Sequence, residues 1–255
     1  MKGLLTALAV CLLLSISSAA QSNVDRADAM DLNGPVKTLT VIVTQSSRLD
    51  SQAKPKQIAH QRFTFDEKAR VVEEVLLDAP GAREYKHVFE YDANGRKVLM
   101  KQFTDGMLDS WTKYNYDSKG RLISSQSFDS AGNQSRQTVR NYRDNGRLAD
   151  HTVYDKNGVV ISKDVYSYDT HDRMTESTSF GSKGQVVQKQ SWSSDPNVIL
   201  ITRGNSIMRI VVKEKVKDQL DEYGNWQRSK QEKVINDSGN LSEVVEVTTR
   251  KFTYR

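Results

Sequence analysis

The feature that most constrains this chain is a beat of turns. An aromatic residue, Asp, two open positions and Gly recur as Tyr91-Asp92-Ala93-Asn94-Gly95, Tyr116-Asp117-Ser118-Lys119-Gly120, Phe128-Asp129-Ser130-Ala131-Gly132 and Tyr154-Asp155-Lys156-Asn157-Gly158. Looser copies run from Phe65 to Ala69, Leu77 to Gly81, Tyr142 to Gly146, Tyr168 to Asp172 and Phe180 to Gly184, with a shortened one at Phe103–Gly106. The turns end at residues 69, 81, 95, 106, 120, 132, 146, 158, 172 and 184. Alternate ends form two series, each advancing by 25 or 26 residues, so the repeating unit holds two unlike turns. Two more copies, Leu220–Gly224 and Ile235–Gly239, lie near the C-terminus.

Asp at the first position and Gly at the fourth is the signature of a type I turn closed by a left-handed residue. The segments between turns are too short for helices and are rich in Val, Ile, Thr, Tyr and Phe, which suits strands. The expected fold is all-β: an antiparallel hairpin meander, or elongated repeat sheet, of about 12–15 strands, open or curled. The regular repeats span 63–192 within a region 21–192, and 193–255 is expected to cap the same domain. First and late strands are expected at Gly34–Thr44, Val198–Thr202, Ile207–Val216 and Val244–Tyr254, with Gln45–Lys56 as a loop.

The turn model places Asp66 opposite Arg70, Asp92 opposite Arg96, Asp117 opposite Arg121 and Asp169 opposite Arg173. Two readings stay open: cross-strand ion pairs, or Asp serving its turn with Arg solvated. Simple alternation puts Phe63 with Phe65, Phe89 with Tyr91, Tyr114 with Tyr116 and Tyr166 with Tyr168 on one face. It assigns Val71, Leu122, Leu148, Met174, Leu77, Phe103, Phe128, Tyr154 and Phe180 to that face as well. Its strand centres would be polar: Ser124, Gln126, Asp150, Thr152, Ser162, Asp164, Glu176 and Thr178.

The N-terminus reads as an export signal. Lys2 precedes the apolar stretch Leu4–Leu14, and Ser18-Ala19-Ala20 supplies small residues for cleavage after Ala20. The stretch falls short of the roughly 20 residues that span a bilayer. Cys11 invites a lipoprotein reading, but Val10 is too bulky just before it. Cleavage removes Lys2 and the one Cys, leaving 36 basic against 32 acidic residues and no thiol to misoxidise. The expected location is periplasmic or secreted, with no membrane span after cleavage.

The run Tyr114-Asn115-Tyr116-Asp117-Ser118-Lys119-Gly120-Arg121-Leu122 resembles a YD repeat, also called an RHS repeat, and Phe89–Arg96 and Tyr166–Asp169 are similar. The resemblance covers roughly Phe63 to Trp192. It implies a bacterial surface or secreted protein built from β-hairpin strips, with repeats linked to carbohydrate binding. Large members form shells around toxins. Here the double repeats are too few to enclose a cavity and no toxin domain follows, so that role is not carried over.

Neither Walker, dinucleotide nor Gly-x-Ser-x-Gly loops are present, and His60, His87, His151 and His171 lack metal-ligand spacing. Single Asp residues in the Asp-x-Asn-Gly turns are too few for calcium. No catalytic, cofactor or metal residues are assigned. The charges alternate in sign, which with export disfavours nucleic acid. The leading expectation is a non-enzymatic envelope scaffold or binding module whose partner is a glycan or an envelope protein. Trp111, Tyr114, Tyr116, Tyr142, Tyr154, Tyr166, Tyr168, Trp192 and Trp226 are its candidate ligand-binding aromatics. The alternative is a protein-interaction module using exposed strand edges. A hydrolase is third, and would need carboxylates or His60, His87 and His151 gathered in one cleft.

Overall fold

The computed structural model describes residues 32–47, 52, 54–77, 83–192, 198–204, 206–223, 225–237 and 239–254. The signal segment and its cleavage site lie outside them. Sixteen strands follow one another, and no helix occurs among the described residues. They are β1 (Val36–Ser47), β2 (Lys56–Phe65), β3 (Val71–Leu77), β4 (Glu84–Tyr91), β5 (Lys97–Thr104) and β6 (Met107–Tyr116). Next come β7 (Leu122–Asp129), β8 (Gln134–Tyr142), β9 (Leu148–Asp155), β10 (Val160–Tyr168), β11 (Met174–Gly181) and β12 (Val186–Trp192). Last are β13 (Val198–Arg203), β14 (Ser206–Leu220), β15 (Trp226–Asp237) and β16 (Asn240–Tyr254). Each strand pairs with its sequence neighbours, and β16 pairs antiparallel with β1, closing the sheet as a barrel.

The all-β meander is thus present and curls to closure. Closure corrects the strand-edge alternative: each of the sixteen strands has two hydrogen-bonded neighbours, so among the described residues there is no edge strand to receive a partner. Two details differ from expectation. Strand β1 runs on to Ser47 and pairs Gln45 with Lys56, so the first three residues and the last residue of the expected loop are ladder. Strand β15 was not expected, and it carries buried Ser229, Glu232 and Lys233 in place of an apolar stripe.

The turns are built as their residues require. In the turn after β4, Asp92 N–H donates to the Arg96 carbonyl at 2.9 Å and Gly95 N–H to the Asp92 carbonyl at 3.0 Å. Gly95 closes it at φ 77°; Ala69 and Asp172 hold the same left-handed conformation without glycine's freedom. The ion-pair reading of the Asp–Arg spacing holds, and each Asp serves its turn at the same time. Asp92 Oδ1 accepts the N–H groups of Asn94 and Arg96, while Oδ2 accepts Arg96 Nε at 2.7 Å. Asp66, Asp117 and Asp169 repeat the pattern with Arg70, Arg121 and Arg173. These carboxylates are committed to the turn and the guanidinium.

The pKa values of Asp92, Asp117 and Asp169 fall below the usual carboxylate range, chiefly through the backbone N–H four residues on, with burial opposing and the guanidinium adding. Asp169 reaches about 2. The folded chain therefore binds these protons less readily than the unfolded chain. Their stabilisation is complete above an unfolded value of about 4 and is lost as pH falls through the folded values. The urea midpoint is expected to drop between pH 5 and pH 2, and to drop less in Asp92→Asn/Asp117→Asn/Asp169→Asn. Parallel pH profiles for the two proteins would refute this.

The register corrects the face assignment. Tyr116 pairs with Leu122, but Asn115 pairs with Ser124, leaving Ile123 as an extra, unpaired residue. The same slip follows the turn after β7, where Phe128 pairs with Gln134 and Ser127 with Arg136. Each slip is a bulge that reverses the side-chain alternation of the strand it begins. Phe128, Tyr154 and Phe180 therefore lie on the face opposite Tyr114 and Tyr116, and Phe103 on the face opposite Phe89 and Tyr91, not beside them. Ser124, Gln126, Asp150, Thr152, Glu176 and Thr178 move with them, and Ser125, Ser127, His151, Ser177 and Ser179 take their places. Ser162 and Asp164 stay as expected.

The described residues form two compact units, one of those from 32 to 109 with those of 214–232 and 244–254, the other of those of 110–213 with 233–243. In the first, Leu32, Val36, Leu39, Phe63, Phe65, Val71 and Phe89 make an apolar cluster. In the second, Leu148, Tyr166, Ile201 and Ile210 are the buried hydrophobic side chains among the described residues.

Candidate functional site

One face of the second unit gathers Tyr114, Tyr116, Tyr142, Tyr166 and Tyr168. Tyr114 with Tyr116 and Tyr166 with Tyr168 lie two residues apart at the ends of β6 and β10, Tyr142 ends β8, and the 25- or 26-residue repeat sets them in rows. Tyr142 Oη donates to the Leu122 carbonyl at 2.8 Å and Tyr168 Oη to the Leu148 carbonyl at 3.0 Å. In the first unit Tyr91 does the same to Val71 at 2.6 Å. The turn arginine completes the interlock: Arg121 lies 4.8 Å from the Tyr142 ring centre and Arg70 4.7 Å from that of Tyr91. Tyr91, Tyr142 and Tyr168 thus each tie their hairpin to the one before. Tyr168→Phe is expected to lower stability by about 1 kcal/mol by urea unfolding, since it leaves a carbonyl without its donor; an unchanged midpoint would disprove the tie.

The other candidate aromatics are dispersed. Trp111 sits on the opposite face, stacked on Phe128 with ring centres 3.9 Å apart and Lys113 5.2 Å from its ring. Tyr154 is also on that face, opposite Gln137. Trp192 pairs with Ile199 at the end of β12. Trp226 belongs to the first unit, between Arg250 at 4.2 Å and Lys217 at 5.5 Å. Tyr166 is only 6% exposed, whereas Tyr114, Tyr116, Tyr142 and Tyr168 are half-buried.

Polar groups fill the centre of the tyrosine face. Thr112 and Ser127 share a hydrogen bond at 3.0 Å. His151 Nε2 meets Asp164 Oδ2 at 2.9 Å, and His151 Nδ1 meets Tyr166 Oη at 3.1 Å. Burial raises the Asp164 pKa, but His151 and Ser179 outweigh it and hold the group below the carboxylate range. Arg140 pairs across the ladder with His151, among these tyrosines. Burial lowers its pKa, and the phenols of Tyr142, Tyr114, Tyr166 and Tyr116 oppose the shift. Sequence reasoning passed over Arg140, although its signal is plain: it stands two residues before a motif tyrosine, where Phe63, Phe89, Tyr114 and Tyr166 stand in the other repeats.

Among the described residues of each unit, the gathering a hydrolase would need is not seen. His60 pairs with Ile42 on the face opposite Phe63, while His87 lies on the Phe89 face and bonds Glu74 at 3.1 Å. His151 has Asp164 and Tyr166 as partners. No cluster of three or more His, Cys, Asp or Glu suited to a metal occurs among the described residues.

No family model matches the chain, and neither does any curated protein. Among solved structures, a porin-like protein from Bacteroides uniformis is similar in fold. It is 11% identical, covers 87% of this chain and 98% of its own, and has a TM-score of 0.51. A Photorhabdus luminescens Tc holotoxin pore is 12% identical over 77% of this chain and 16% of its own, with a TM-score of 0.30. A TcdB2–TccC3–Cdc42 complex is 11% identical over 84% and 16%, with a TM-score of 0.22. The first likeness concerns the barrel fold; the other two are too distant to support an inference.

Proposed function

We propose that this chain is a non-enzymatic barrel protein of the bacterial envelope, exported by its N-terminal signal, that binds carbohydrate on the tyrosine face. The observation that carries the reading is the set of half-buried tyrosines, Tyr114, Tyr116, Tyr142 and Tyr168, sharing one face with hydroxyl-bearing strand centres. Aromatic rings beside hydrogen-bonding groups match the mixed apolar and polar surface of a sugar. The porin-like fold neighbour favours an envelope setting.

A water-borne rather than lipid-embedded barrel fits the charges. The face opposite the tyrosines carries Lys113, Asn115, Asp150, Lys163, Glu176 and Lys189, with Lys163 paired to Asp150 and Lys189 to Glu176. The tyrosine face carries Arg140, His151 and Asp164. A membrane barrel presents an apolar band about 25 Å tall to lipid, and neither face of the second unit has that composition. Osmotic-shock release with the periplasmic fraction, plus retention on purified peptidoglycan or on a glycan array, is the expected result. Absence of binding to every glycan would remove the carbohydrate reading, and recovery only with detergent-solubilised membranes would remove the water-borne one.

A further inference from the structure

The row that runs Phe63, Phe89, Tyr114, Arg140, Tyr166 contains one cation among aromatics. The ladder positions Arg140 on the tyrosine face, between strands carrying Tyr114 and Tyr166 two places away on either side. Its Nε and Nη1 are shielded from solvent and donate no hydrogen bond. Elsewhere this chain pairs its turn guanidiniums with carboxylates, as Arg121 with Asp117 and Arg173 with Asp169. At Arg140 the nearby carboxylate is taken: Asp164 is held by His151, the cross-strand partner of Arg140 itself. A guanidinium with two shielded, unmet nitrogens is costly to keep, and an apolar or aromatic residue would cost less. The position is therefore built to receive an anion. A carboxylate supplies the acceptors in a charge-assisted hydrogen bond, and the adjacent rings and hydroxyls suit a sugar body attached to it.

We propose that Arg140 is the carboxylate receptor of the tyrosine face, and that the carbohydrate bound there is an acidic sugar of the hexuronate type. This rests on the carbohydrate reading above and narrows it. The test is isothermal titration of the whole chain with D-glucuronate, D-glucose and acetate, together with the Arg140 Nε–Hε resonance in a nitrogen-15 NMR spectrum. Glucuronate is expected to bind at least tenfold more tightly than glucose or acetate and to shift the Arg140 resonance. Arg140→Met is expected to lose that preference tenfold or more while its melting temperature without ligand stays equal to, or rises above, that of the parent chain. If glucose and glucuronate bind equally in both proteins, the acidic-sugar inference falls while the carbohydrate reading survives. If acetate matches glucuronate, or neither sugar binds, the acidic-sugar inference falls, and the glycan array decides the carbohydrate reading by itself. A melting temperature that drops in Arg140→Met without ligand would make Arg140 a packing residue and overturn the inference by itself.

Discussion

Asn225→Ala is expected to lower the stability of this chain by roughly 2–4 kcal/mol, an effect normally associated with core cavities. Asn225 stands where arginine stands in several regular turns, four residues after Asp221, and it is 1% exposed. Its Oδ1 accepts the Asn33 backbone N–H at 2.6 Å, and its Nδ2 donates to the Asn33 carbonyl at 2.9 Å and to Tyr254 Oη at 3.0 Å. Tyr254 in turn donates to Asp221, and burial together with that carboxylate pushes its phenol up to about 12. One amide thus joins the segment before β1 to the end of β16, the two strands whose pairing closes the sheet. Alanine strands the Asn33 backbone donor and acceptor and removes the bond that the Tyr254 hydroxyl accepts. Chemical denaturation followed by circular dichroism measures the loss, with Asn94→Ala in an exposed turn as a control expected within about 0.5 kcal/mol of the parent. A loss below about 1 kcal/mol would show that the closing pair does not depend on this amide.

Leu148→Ala is expected to cost about 2–5 kcal/mol, because it removes transfer energy and opens a cavity. Leu148 is 1% exposed and pairs with Tyr142 just past the turn, while its carbonyl receives the Tyr168 hydroxyl. The second unit has few buried apolar side chains among its described residues, so each carries a large share of its cohesion. Ile123→Ala, at a bulge residue 37% exposed, is the matched control and should cost under about 1 kcal/mol. Equal losses for the two leucine-type truncations would mean that the tyrosine face does not form the packed side.

Much of the fold was legible because turns announce themselves locally. Asp and Gly at fixed offsets report a backbone conformation that few other residues favour, and the Asp66–Arg70 and Asp92–Arg96 pairs follow from that spacing. Bulges leave no such mark. Ile123 looks like any strand residue, yet its presence sends Phe128 and Tyr154 to the face away from Tyr116. Closure was illegible for a related reason: the pairing of Leu39 with Phe252 joins distant parts of the chain, and no local pattern encodes it. Strand β15 escaped because its buried side chains include Glu232 and Lys233, which an apolar periodicity does not register. At the candidate site, the tyrosines were visible as pairs, but their grouping with His151 and Asp164 needed the register.

The antiparallel seam between first and last strands sets a rule for how such a chain can lengthen or shorten. An up-and-down circuit joins its ends antiparallel only when the number of strands is even, as the sixteen here allow. Duplicating or deleting a single strand would bring the termini together in the wrong direction. Removing one hairpin would restore direction, and excising the span between equivalent positions of one turn series, such as 95 to 120 or 120 to 146, also preserves which side each ring takes. Gene-level gain and loss in relatives of this chain should therefore come in blocks of 25 or 26 codons, the interval that separates successive copies of the same turn.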